Sequence, residues 1–200
     1  MFEFLTHIFL YSIFFTLHIP SEQPKIVEAM QKSARAPIII NEKSLGIHIS
    51  APYAVVIDRE SGKILYEKNK NLQTSVASIT KLMTALVFLE HNPGWDTVIP
   101  IEDADLKNGG QSLVLLGDKV KVKDLFNTSL IASSNEASLA LAKSTGFSRE
   151  KFIEEMNQMA KKLGLEYTFF IDPTGLAPAN ISTAHEIGKI AKYAFEKSEI

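Results

Sequence analysis

The sequence predicts a mixed α/β domain of the α+β kind, and three observations carry that prediction. A hairpin pattern near residue 53 is followed by a chain that is mostly helical. The later helices carry legible start and stop signals. A two-stranded hairpin is only marginally stable alone, so the first pattern implies a larger sheet.

The totals narrow the class. Two hundred residues, 46% apolar and 22% charged, are ordinary globular material for one domain, or for one domain and an anchoring segment. A net charge of −2 offers no basic field, so nucleic acid is not an expected partner. The chain has no cysteine, which excludes thiol catalysis, disulfides and Cys-ligated metals. Its five histidines never pair at helical ligand spacing. His185-Glu186 opens like a zinc-protease motif, but Lys189 stands where the second ligand belongs, so no metal is expected.

Residues 1–20 differ in kind from the rest. From Phe4 to Ile19 the run is almost wholly apolar. As a helix it would reach about 24 Å, short for a bilayer crossing but ample for a signal-peptide core. It lacks a preceding Lys or Arg and a nearby small-x-small site, and it is read as a signal peptide or an N-terminal membrane anchor. Residues 21–50 mix charge, Pro and Gly and read as a linker. The folded domain is expected over 51–200.

Tyr53–Ile57 is β-branched and aromatic and reads as a strand buried on both faces. Glu60-Ser61-Gly62 supplies the turn and Ile64–Glu67 the return strand. Ser78–Glu90 reads as a helix with Leu82, Leu86 and Leu89 on one stripe, ended by Asn92-Pro93-Gly94. The pattern then breaks into short pieces as far as Val122. Lys123–Ala132 and Glu136–Lys143 are predicted helices joined by Ser133-Ser134-Asn135, with Gly146 as the stop.

Arg149–Leu163 has the clearest signals. Ser148 is its N-cap, Phe147 and Phe152 can staple across it, and Phe152, Met156, Met159 and Leu163 form the core face. A turn-rich stretch, Asp172–Asn180, precedes a last helix in which Thr183 and Glu186 are spaced as a capping box, with Ile187, Ile190, Ala191 and Ala194 inward.

The chemistry lies in two short motifs. Ser78-Ile79-Thr80-Lys81 puts a hydroxyl and an amine three residues apart on one helical face. A serine hydroxyl needs a neighbour to take its proton, and lysine can do so only as the neutral amine, which demands burial or nearby cations. The free N–H groups of a helix start also suit a developing oxyanion. Spacing alone is weak evidence: Ser148–Lys151 repeats it, yet a cap and a first-turn lysine explain that pair. The apolar run Leu82–Leu86 would bury Lys81, and nothing comparable buries Lys151. Ser133-Ser134-Asn135 taken alone reads as a polar connector with Asn135 as the N-cap of the next helix.

Together, Ser-x-x-Lys at a helix start and Ser-x-Asn between helices resemble two of the three signatures of penicillin-binding proteins and serine β-lactamases. Asp58–Tyr66 looks like that family's opening hairpin. Asp172-Pro173-Thr174-Gly175-Leu176, with Asn180 and Ser182-Thr183-Ala184, is similar to a segment of its D-alanyl-D-alanine carboxypeptidase branch. The resemblance implies a β-lactamase/transpeptidase-like fold: an antiparallel sheet with helices on one face, and a helical subdomain.

It also implies roles: Ser78 as acyl-ester nucleophile, Lys81 as general base, Ser133 as proton relay and Asn135 as a hydrogen-bonding group for the substrate amide. The Ser78 N–H would form half of the oxyanion hole. Implied partners are a peptidoglycan stem peptide ending in D-Ala-D-Ala, β-lactam antibiotics, and a membrane through the N-terminal segment. The place is outside the cytoplasm, at the periplasm or cell surface, and no cofactor is required.

The third signature, Lys-Thr-Gly or Lys-Ser-Gly on a strand, occurs nowhere in these residues. Lys143-Ser144-Thr145-Gly146 has one residue too many and lies at a helix end. The expectation is that the strands bearing that motif lie beyond residue 200. A class A β-lactamase would need a Glu-x-x-Leu-Asn string after Asn135, and none is present. An endopeptidase of the same branch, or a non-catalytic peptidoglycan-binding protein, stays open.

Overall fold

The computed structural model describes residues 36–41, 43, 46–102 and 113–200. The expected export segment, residues 1–20, and the larger part of the expected linker lie outside the described residues.

β1 (Ala54–Ile57) and β2 (Ile64–Lys68) pair antiparallel as predicted. Asp58 makes the turn between them by accepting from both the N–H and the hydroxyl of Ser61, a local side-chain-to-backbone bond of the kind that nucleates turns. The register slips between Val56 and Ile57. β1 is not buried on both faces, as its composition suggested. Val56 is 44% exposed, because β2 is the strand's only described sheet partner and just one face is covered.

That cover is α5 (Ala184–Ala194), which carries Gly188 at the contact. A Cβ at Gly188 would come 3.1 Å from Ile57 Cδ1, so the missing side chain sets how closely helix and strand approach.

Two further strand pairs were not legible in the sequence. β3 (Thr74–Ser75) pairs with β6 (Ile181–Ser182), and β4 (Val98–Pro100) pairs with β5 (Lys119–Lys121). At two and three residues each, they are too short to show a period of two. The β3–β6 pair matters for the site, because it ties residues 181–182 to the chain just before Ser78.

α1 (Thr80–Glu90) is the central helix. The sequence suggested one leucine stripe, but burial runs almost all the way round it. Met83, Leu86 and Val87 pack into one apolar cluster with Phe152, Met156, Phe170 and Ile190. Ala85 and Phe88 pack into a second with Val122, Leu125, Phe126 and Leu141. A helix buried all round belongs in the middle of a fold, and burying each large side chain contributes roughly 1.5–3 kcal/mol. Phe88, Trp95 and Phe126 add tilted and edge-on ring contacts at 5.3–5.7 Å.

The second cluster is closed by α2 (Val122–Ile131) and α3 (Asn135–Ser144), and the first by α4 (Arg149–Lys162) and α5. The α4 start forms as predicted: Ser148 Oγ accepts from Lys151 N at 3.2 Å, and Phe147 packs against the cluster that contains Phe152.

The capping box at Thr183–Glu186 forms only in part. Thr183 Oγ1 accepts from Glu186 N at 3.1 Å. The buried Glu186 carboxylate instead accepts from the N–H groups of Glu166 and Tyr167 and from Thr168 Oγ1, at 2.6–3.1 Å. Three donors from residues 166–168 outweigh the single one at Thr183. Among the described residues no helix is long and apolar enough to cross a membrane.

Candidate active site

The chain enters α1 through a tight turn rather than at Ser78 itself. Thr80 N donates to Ala77 O, Lys81 N to Ser78 O and Leu82 N to Ile79 O, at 3.0–3.1 Å, the i→i+3 pattern of a 3₁₀ entry. Ser78 therefore stands exposed two residues before regular helix, while Lys81 points inward and is 3% exposed. Among the described residues the Ser78 N–H donates no hydrogen bond, which leaves it free for an oxygen outside the chain.

Lys81 Nζ lies 3.3 Å from Ser78 Oγ, 2.9 Å from Asn135 Oδ1 and 2.7 Å from the carbonyl oxygen of Thr174. The last two partners can only accept. A neutral amine has two N–H bonds and one lone pair. If the hydrogens go to the two carbonyl oxygens, the lone pair is left for Ser78, the one neighbour of the three that can donate. Burial pushes the Lys81 amine below its ordinary range, against the opposing pull of the Asp172 and Glu136 carboxylates.

Lys151 shows what the same spacing does on a surface. Its ammonium pairs with Glu154 at 3.0 Å and Glu155 at 2.8 Å, and bonds to Glu155 and Glu154 raise its pKa. The two Ser-x-x-Lys sequences differ in sign of shift because only one lysine is buried.

Asn135 is not a helix cap, contrary to the reading of its motif in isolation. Ser134 takes that place, accepting from Ala137 N at 3.1 Å and donating to the buried Glu136 carboxylate at 2.9 Å. This leaves the Asn135 side chain for Lys81. Ser133 sits in the left-handed region, φ +55°, which costs a non-glycine residue about 1–2 kcal/mol. Its hydroxyl is exposed and makes no hydrogen bond among the described residues. Ser78, Lys81 and Asn135 are thus brought together, and Ser133, two residues before Asn135, is not joined to them by a hydrogen bond among the described residues.

Residues that motif spacing did not single out complete the site. Asp172 is buried, and its carboxylate accepts from the N–H groups of Thr174 (2.6 Å), Gly175 (2.9 Å) and Ala177 (2.9 Å) and from the Thr174 hydroxyl. Burial alone would raise this carboxyl, but those bonds together hold it below the ordinary carboxylate range. The turn aims the Thr174 carbonyl at Lys81 and the Pro173 carbonyl at Thr84 Oγ1, 2.7 Å away.

Gly175 has φ +90°, and a Cβ there would lie 1.9 Å from Ala77 O, so glycine alone permits the turn to rest on the peptide leading into Ser78. Asn180, fully buried, closes the frame. Its amide donates to Thr80 Oγ1 and Asp172 O and accepts from Ile171 N and Asp172 N, while its own carbonyl accepts from Val76 N. In the sequence this frame shows only as a turn-rich stretch similar to the carboxypeptidase branch; Asx-turn chemistry, an Asp followed two residues later by Thr and then by Gly, is the local signal for its geometry. Among the described residues no group of three or more His, Cys, Asp or Glu side chains could hold a metal ion.

A serine hydroxyl beside a buried lysine and a Ser-x-Asn loop, set at the head of a central helix, match two signatures of the penicillin-binding serine proteins, and comparison with known proteins gives the family. Residues 19–200 match the peptidase S11 model, D-alanyl-D-alanine carboxypeptidase, and the chain belongs to that family.

It is 39% identical over 148 residues to the D-alanyl-D-alanine carboxypeptidase DacF of Bacillus subtilis, covering 71% of this chain and 38% of that protein. It is 36% identical over 140 residues to a D-alanyl-D-alanine endopeptidase of Pseudomonas aeruginosa, covering 68% and 45%. The crystal structure of the D-alanyl-D-alanine carboxypeptidase DacD from Francisella tularensis superposes with a TM-score of 0.70 at 36% identity, over 80% of this chain and 40% of that one. The chain spans about half the length, or less, of the curated relatives it matches.

Proposed function

We propose that the protein is a serine-type D-alanyl-D-alanine carboxypeptidase working through an acyl-ester on Ser78. The observation that supports this best is the buried Lys81 amine, held by two pure acceptors within 3.3 Å of Ser78 Oγ. Neutral Lys81 takes the Ser78 proton as Oγ attacks the carbonyl carbon of the penultimate D-alanine. The oxyanion is met by the Ser78 N–H. As the C–N bond breaks, the proton passes through Ser133 to the leaving nitrogen, and Asn135 holds the peptide amide. Water then cleaves the ester and restores Ser78.

A β-lactam enters the same path: its ring amide is opened by Ser78, and the leaving nitrogen stays tethered. Such a substrate lies outside the cytoplasmic membrane, which fits the reading of residues 1–20 as an export segment or anchor. An endopeptidase is the second reading, supported by the identity to the Pseudomonas aeruginosa protein.

Intact-mass analysis after a fluorescent penicillin should show one adduct, lost in Ser78→Ala. An adduct that survives Ser78→Ala overturns the assignment, and no adduct on the folded protein favours a non-catalytic peptidoglycan binder. Release of D-alanine from a stem pentapeptide, against cleavage of a cross-linked dimer, separates carboxypeptidase from endopeptidase.

A further inference from the structure

Asp172 is a buried carboxylate that makes no ion pair within 4.0 Å among the described residues, and its place in the site follows from what its oxygens hold. Oδ1 accepts from the N–H and hydroxyl of Thr174 and from Gly175 N, and Oδ2 accepts from Ala177 N. Four donors on one carboxylate fix the backbone from 172 to 177. The product of that constraint is the Thr174 carbonyl, 2.7 Å from Lys81 Nζ.

We infer that Asp172 is a positioning residue for the Ser78–Lys81 pair: its carboxylate builds the turn whose Thr174 carbonyl takes one Lys81 hydrogen and so directs the amine lone pair at Ser78. The inference rests on the proposed reading of the site and adds to it a reason for the turn. Without the Thr174 carbonyl the amine could rotate, and its lone pair would spend time away from the hydroxyl it must deprotonate.

Asp172 has a second effect through its charge. The charged groups acting on Lys81 are Asp172, from this turn, and Glu136, from α3, and each favours the ammonium. Removing the Asp172 charge therefore lowers the Lys81 titration midpoint, while loosening the turn slows proton transfer. A residue that only stabilised the fold would leave the plateau rate unchanged in a folded protein, whereas the midpoint shift reports its charge.

The test uses Asp172→Asn in the intact chain, with Thr174→Val as a second variant that keeps the charge and removes one donor. Thermal unfolding establishes that each variant folds. The Lys81 13Cε shift, assigned by comparison with Lys81→Met, is titrated with pH, and the rate of β-lactam acylation is measured at the plateau of its pH profile. Expected for Asp172→Asn are a midpoint moved to lower pH and a plateau rate reduced on the order of 10- to 100-fold, the scale of a catalytic group displaced by a fraction of an ångström. Thr174→Val should leave the midpoint in place and lower the plateau.

An unchanged plateau in folded Asp172→Asn overturns the inference, whether or not the midpoint moves. If Asp172→Asn does not fold, an unchanged plateau in Thr174→Val does the same. Failure of the parent protein to be acylated would count against the proposed function, while a loss confined to the variants bears on Asp172 alone.

Discussion

The amine of Lys81 lies 2.7 Å from the carbonyl oxygen of Thr174, 93 residues further along the chain. A backbone carbonyl can only accept, so this contact decides where a neutral Lys81 carries its lone pair. The helix brings Ser78 to the lysine, and the distant turn makes the lysine face it.

The pH dependence of acylation follows from the burial of Lys81. The proposed mechanism requires the neutral amine, and burial lowers the pKa from 10.5. Acylation by a β-lactam should therefore rise about tenfold per pH unit on the acid side and level off below pH 10.5. A stopped-flow or fluorescence profile checks this, and a rise still continuing through pH 10.5 would show that the lysine reacts as if it were in water.

Gly175→Ala should damage the site more than its single methyl suggests. The residue would have to hold φ +90° and place Cβ 1.9 Å from Ala77 O, against backbone that cannot swing aside. The left-handed conformation alone costs about 1–2 kcal/mol, and relieving the overlap must shift the turn or the peptide before Ser78. Denaturant unfolding should show a loss of at least about 1 kcal/mol, with acylation slowed on the order of 100-fold. Parent-like acylation would mean that the turn does not bear on Ser78.

Ser148→Ala separates the two Ser-x-x-Lys sequences. It removes the cap that accepts from Lys151 N, at a cost of about 1 kcal/mol. Chemical denaturation should register that loss while penicillin labelling stays at the parent level. A collapse of labelling in the folded variant would point to Ser148 as the reactive serine.

The legible parts of this protein were those whose cause is local. Ser148, Phe152, Met156 and Met159 announce α4 because a cap and a helical period act within a few residues. The opening hairpin was legible for the same reason. Local signals failed where the decisive partner was remote. Ser78 was read as the start of regular helix, yet a tight turn precedes it, tied down by Val76 N on Asn180 O. Asn135 was read in isolation as a cap until Ser134 proved to occupy that place. Thr183 and Glu186 had capping-box spacing, but Glu186 is claimed by the backbone at 166–168.

By itself the sequence determined the order of hairpin and helices, the two motifs and the expected identity of the nucleophile, because spacing along a helix is a short-range property. Only the tertiary structure decided which of the two lysines is buried. A lysine pKa answers to burial and to carboxylates brought in from elsewhere. The direction of its lone pair answers to acceptors 54 and 93 residues away. Those contacts exist only once the chain has closed on itself.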